Sequence, residues 1–201
     1  MSAADARRWA AALAVAGTLA LLAVAAFADP PQRASLFTRS AGWIAALFVL
    51  GSLLASPLAR WRGKPATHLR RALGLVGAAF ASVHGALAFF TQSHGEVAAL
   101  STSAQLRAGL TALAILALLC VTSFPELNRA LKVRAWTALH RLVYVAGGLI
   151  ALHAILSPFA SMRWALGYAA LVAVALLLRF LPGRASRSAA AASSEAPDST
   201  T

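Results

Sequence analysis

Acidic residues are scarce in this chain. Its 201 residues include six, Asp5, Asp29, Glu96, Glu126, Glu195 and Asp198, against 18 lysines and arginines. None of the six falls inside an apolar run. Proton-coupled transporters and pumps commonly bury a carboxylate at membrane depth, so its absence counts against that class. Cysteine is nearly absent too. Cys120 stands alone, which excludes an internal disulfide and any paired-cysteine metal motif. Inside an apolar run, it reads as a small apolar helix residue. The sequence also lacks a Gly-rich phosphate loop and an HExxH helix, the signatures of P-loop nucleotide chemistry and of zinc proteases.

Charge of any kind is low, at 12% of residues, while 60% are hydrophobic. Soluble domains average about 25% and about 45–50%. The apolar excess comes as separate long runs, and a helix needs about 20 apolar residues to cross a bilayer core. Six runs qualify: Trp9–Ala28, Ala41–Ala59, Ala72–Gln92, Leu106–Ser123, Trp136–Ser157 and Arg163–Leu181. The expected fold class is an all-α membrane protein, a six-transmembrane-helix bundle over residues 9–181. Residues 1–8 would form a short cytoplasmic N-terminus. The small, polar stretch at residues 182–201 would be a disordered cytoplasmic tail.

A net charge of +12 raises the question of nucleic acid. The distribution answers it. Arg33, Arg39, Arg107 and Arg163 fall on one side of the proposed spans and the other 14 basic residues on the other. The positive-inside rule explains that bias, with both termini cytoplasmic. Basic segments such as "ARWRGK" then face anionic lipid of the bilayer, and no nucleic-acid partner is expected. The first run has a processing ambiguity. "AFA" before "DPP" resembles a signal-peptidase site, but the run exceeds the 7–15 residues of a signal core, so a retained helix is expected.

Small residues crowd every span. "GLVGAAFAS" at Gly74–Ser82 and "VAGGL" at Val145–Leu149 mark faces where a neighbour or a flat ligand approaches the backbone, and packing alone accounts for them. Trp9, Trp61, Trp136 and Trp164 lie near span ends, as an interfacial belt requires. A short helix is expected after Pro125.

Of the five histidines, His68 and His94 lie in or beside loops, where solvated roles are expected. His84, His140 and His153 fall within spans. Ionisable residues there usually face the bundle interior and are functional-site hypotheses by default. With no buried carboxylate to pair them, axial ligation of iron in a haem is the reading that uses imidazole best. At 1.5 Å per residue, His140 and His153 lie about 20 Å apart along one helix. His84 and His153 both fall in the outer half and form a candidate axial pair. His140 sits at the inner edge with Arg70, Arg71 and Arg141, which could face haem carboxylates. Thirteen residues turn a helix by about 220°, so His140 and His153 would point differently unless Gly147 and Gly148 host a bend.

The blocks "SAGWIAALFVLGSLLASPLARW", "RRALGLVGAAFASVHG", "LCVTSF" and "WTALHRLVYVAGGLIALH" follow one another as in the ferric-reductase-like transmembrane domain. The chain resembles this family over about Ser40 to Leu181, closest to its MsrQ/YedZ branch of haem-binding membrane subunits. The resemblance implies a six-helix b-type cytochrome passing electrons across the bacterial inner membrane. It would be an electron-transfer subunit of an oxidoreductase system rather than a complete enzyme. In that branch the acceptor is a periplasmic molybdopterin enzyme, a methionine sulfoxide reductase. By position, His84, His140 and His153 match the family's haem histidines.

Three departures bear on these expectations. Relatives such as the NADPH oxidases carry two histidines on the third span; here Arg70–Arg71 stand at roughly the depth of the inner one. One haem b is therefore expected at His84 and His153, with His140 a candidate for a second. The loop "SHGEVAALSTSAQLRAG" also departs from the MsrQ-type pattern, which bears on the pairing with that acceptor. Larger relatives continue into a flavin and nicotinamide domain, so the donor here would be a separate cytoplasmic flavin reductase, a bound flavin or quinone. The competing reading is a small transporter or structural membrane protein with hydrogen-bonded intramembrane histidines.

Overall fold

Within lipid, backbone N–H and C=O groups have no water to satisfy them, so long apolar runs close their hydrogen bonds internally as helices. The computed structural model describes residues 3–62, 66–91, 95–98, 102–124, 126–127 and 131–181. Among them there is no strand, and six helical spans are long and apolar enough to cross a membrane. In chain order the helices are α1 (Ala3–Phe27), α2 (Pro30–Arg62), α3 (Thr67–Thr91), α4 (Ala104–Val121), α5 (Val133–His140), α6 (Leu142–Leu156) and α7 (Met162–Phe180). Helices α5 and α6 together make the fifth span. The expected tail, His94 and most of the segment after Pro125 lie outside the described residues.

Two boundaries differ from the sequence reading for local reasons. Helix α2 starts at Pro30, well before Ala41, because proline is tolerated in a first turn where its missing N–H is not needed. The fifth span breaks at Arg141, not at the glycine pair. Arg141 N donates to Ala138 O and Tyr144 N to Arg141 O, both tight i to i−3 bonds. Helix α6 then runs unbroken through Gly147 and Gly148.

Helix α2 is the organising element. It packs on α1, α3, α6 and α7, while α3 meets α4, α4 meets α6 and α6 meets α7. The helices α2, α3, α4, α6 and α7 thus close a ring, with α1 against the outside of α2 and α3. Val49, Leu53, Ala146 and Ala175 are fully buried at its centre. Close approach depends on small residues: a Cβ on Gly77 would lie 3.1 Å from Val49 Cγ2, and one on Gly147 would lie 2.8 Å from Leu53 Cδ1. Large apolar side chains face outward instead, among them Leu47, Leu110, Leu152 and Leu177. An outer surface of this kind suits lipid rather than water.

Candidate functional site

Helices α2, α3, α4 and α6 line a partly open cavity of about 290 Å³ at the level of His84 and His153. Its walls are mainly apolar, and small residues make part of them: Gly42 and Ala46 from α2, Gly85 from α3 and Gly109 and Ala112 from α4. The polar groups converging on it are few: the two imidazoles, Arg39 and Ser157.

The two imidazoles are held alike. His84 Nδ1 donates to the Thr38 carbonyl on α2 at 2.8 Å. His153 Nδ1 donates to the Gln105 carbonyl on α4 at 2.9 Å. A carbonyl only accepts, so each bond places a ring proton on Nδ1, and in the neutral imidazole Nε2 is then unprotonated and free to bind a metal. The ring centres are 6.1 Å apart and the planes cross at 79°. A metal ion held by two imidazoles at about 2.0–2.1 Å, with each ring centre about 1.2 Å behind its nitrogen, would set the centres roughly 6.4 Å apart. The observed 6.1 Å is close to that separation. Among the described residues no group of three or more His, Cys, Asp or Glu side chains could enclose a metal. The other ligands would have to come with the ion, as in a metallated macrocycle.

Arg39 completes the set, and charge counting on the outer side had not singled it out. One guanidinium NH donates to the Phe159 carbonyl at 3.3 Å, while Nε is buried without a partner. A guanidinium on the wall of an apolar cavity suits a ligand with an anionic edge.

The other sequence candidates lie elsewhere. His140 is stacked on Trp136, with centroids 4.0 Å apart. Its Nδ1 donates to the Trp136 carbonyl at 3.1 Å, and its Nε2 is 3.3 Å from Ser123 Oγ. Arg70 donates to the His140 carbonyl at 3.1 Å and to Ser56 Oγ at 3.3 Å, and Arg71 donates to the Ser123 carbonyl. Arg70 and Arg179 both approach the Tyr144 ring, at 5.8 Å and 4.6 Å from its centre. These residues brace α2, α3, α6 and α7 to one another. Arg141 and His68 are exposed. None of His68, Arg70, Arg71, His140 and Arg141 lines the His84–His153 cavity.

Residues 40–151 match the family described as the ferric reductase like transmembrane component. The chain belongs to that family. It is similar to the protein-methionine-sulfoxide reductase heme-binding subunit MsrQ of Rhodospirillum rubrum, with 33% identity over 153 residues, 73% of each chain. The MsrQ subunit of Yersinia pseudotuberculosis serotype O:1b is 32% identical over 159 residues, 76% of each chain. That of Klebsiella pneumoniae is 36% identical over 134 residues, 63% of each chain. The ferric-reductase-like segment begins within α2 and ends within α6. It takes in Gly42, His84, Gln105, Gly109 and His140, and Arg39 and His153 stand just beyond its two ends.

Proposed function

We propose that this protein is the membrane haem-binding subunit of a methionine sulfoxide reductase system and carries electrons across the bacterial inner membrane. The observation that carries the reading is the pair His84 and His153, on different helices, with ring centres 6.1 Å apart over an apolar cavity. The residues suit a b-type haem on three counts. Each Nε2 is left unprotonated by the Nδ1 bond behind it. The small wall residues leave room for a flat macrocycle. Arg39 places a guanidinium on the cavity wall for a carboxylate edge. A haem bound there supplies one-electron transfer with no bond made or broken.

The chain's own residues set where and how that exchange happens. His84 and His153 would hold the haem in the half of the bundle proposed to be outer. Arg39 would place a positive charge beside the macrocycle. His140, Arg70 and Arg71 brace the inner end, and the reading needs a single haem. The donor is a cytoplasmic flavin reductase or quinone at the basic inner face. The acceptor is a periplasmic protein-methionine-sulfoxide reductase, after the name its relatives carry.

Protein purified from haem-sufficient cells should be red, with the reduced-minus-oxidised bands of a b-type haem and about one haem per chain. Colourless, folded protein would sink the reading. The 14-to-4 distribution of basic residues supports cytoplasmic termini. A green fluorescent protein fused after Thr201 should fluoresce and an alkaline phosphatase at the same place should be inactive. The reverse pattern would place the His84–His153 site in the cytoplasmic half of the membrane.

A further inference from the structure

The haem reading leaves one feature of the cavity unused: both histidine rings lie where a neighbouring helix has no side chain. A Cβ on Gly42 would stand 2.9 Å from His84 Nδ1 and 3.0 Å from its Cε1. A Cβ on Gly109 would stand 2.7 Å from His153 Nδ1 and 2.9 Å from its Cε1. The spacing repeats as well. The carbonyl that accepts from His84 belongs to Thr38, four residues before Gly42; the one that accepts from His153 belongs to Gln105, four before Gly109. In an α-helix the carbonyl of residue i already accepts the N–H of residue i+4. The ring must therefore reach it from the side, across the surface of residue i+4. Other tight glycines of the bundle, Gly17, Gly85 and Gly147, face the tips of Phe80, Leu113 and Leu53.

We infer that Gly42 and Gly109 are positioning residues for the two axial imidazoles: each opens its helix so that Nδ1–H reaches the carbonyl one turn earlier. The inference rests on the haem reading above and deepens it. A hydrogen bond from Nδ1 fixes the ring's orientation and raises the basicity of Nε2. A more basic ligand favours ferric over ferrous iron and holds the reduction potential down. Helices α2 and α4 thus act on the iron through the rings carried by α3 and α6.

The test is a redox titration of detergent-purified wild type and the variants Gly42→Ala, Gly109→Ala and Gly147→Ala. Alanine raises helix propensity at each site, so the change acts through contact and not through the backbone. Gly147→Ala is the matched control, because its Cβ meets Leu53 and touches no imidazole. Expected are upward shifts of the haem midpoint potential in Gly42→Ala and Gly109→Ala, and the wild-type value in Gly147→Ala. Unshifted potentials in both imidazole-contact variants would overturn the inference while leaving the haem reading intact. Colourless wild type would instead overturn the haem reading. Should the variants not fold, electron–nuclear double resonance on oxidised wild type in D₂O decides. Two Nδ1 protons that persist as protium support the bonds, and complete exchange during mixing overturns them.

Discussion

Alanine in place of His84 or His153 should leave less than about a tenth of the wild-type haem, since even the outer partners of metal ligands are worth about 10–100-fold in affinity. On the proposed reading, each substitution removes one of two Nε2 ligands from a cavity whose other walls are mainly apolar, with Arg39 at their edge. The loss should be the same from either side, because the two rings are held by equivalent bonds of 2.8 Å and 2.9 Å. His140→Ala is the internal comparison. Its ring lies against Trp136 and Ser123 and does not line the cavity, so its haem content should match wild type. Haem is counted as the pyridine complex per folded, membrane-extracted chain. Full haem in both His84→Ala and His153→Ala would reject the pairing; equal loss in His140→Ala would move the site to the inner end.

The spans were legible in the sequence because a bilayer imposes length and composition on every crossing helix. Depth along a helix was legible for the same reason, and it set His84 and His153 at one level before any contact was known. What depth cannot supply is the direction a ring faces or what stands behind it. Thr38 and Gln105 act through backbone carbonyls, which leave no mark on residue identity. Gly42 and Gly109 look like any small residue of a membrane helix, and only "TRSAG" and "QLRAG" hint at a shared role, each with a glycine four residues after the acceptor. The glycines that drew attention instead, Gly77 and Gly147, serve helix packing. Arg70 and Arg71 were conspicuous as a pair, but their donors are directed to Ser56, His140 and Ser123 across helix boundaries. Such contacts join segments 14 to 70 residues apart, and no local pattern announces them.

Arg39 is where the electrostatics of the site can be measured. Arginine keeps its charge in any protein setting, and its fork presents five N–H donors. Here one NH donates to the Phe159 carbonyl and Nε is buried and unpartnered. Hydrogen bonds to charged groups are worth about 1.5–3 kcal/mol, so Arg39→Leu should weaken haem retention roughly 10- to 100-fold. The sign of the redox effect follows from charge. Reduction adds an electron to the haem, and a nearby cation favours the reduced form, so Arg39→Leu should lower the midpoint potential. Arg39→Lys restores the charge without the fork; its potential should return towards wild type while retention stays weaker. Haem transfer to apomyoglobin measures retention and a redox titration measures potential. Wild-type values of both in Arg39→Leu would remove Arg39 from the site. The direction separates this residue from the glycines: losing the cation lowers the potential, whereas crowding an imidazole at Gly42 raises it. Opposite shifts from residues one turn apart on α2 would show that this helix acts on the haem by two routes, through charge at its edge and through the ligand at its face.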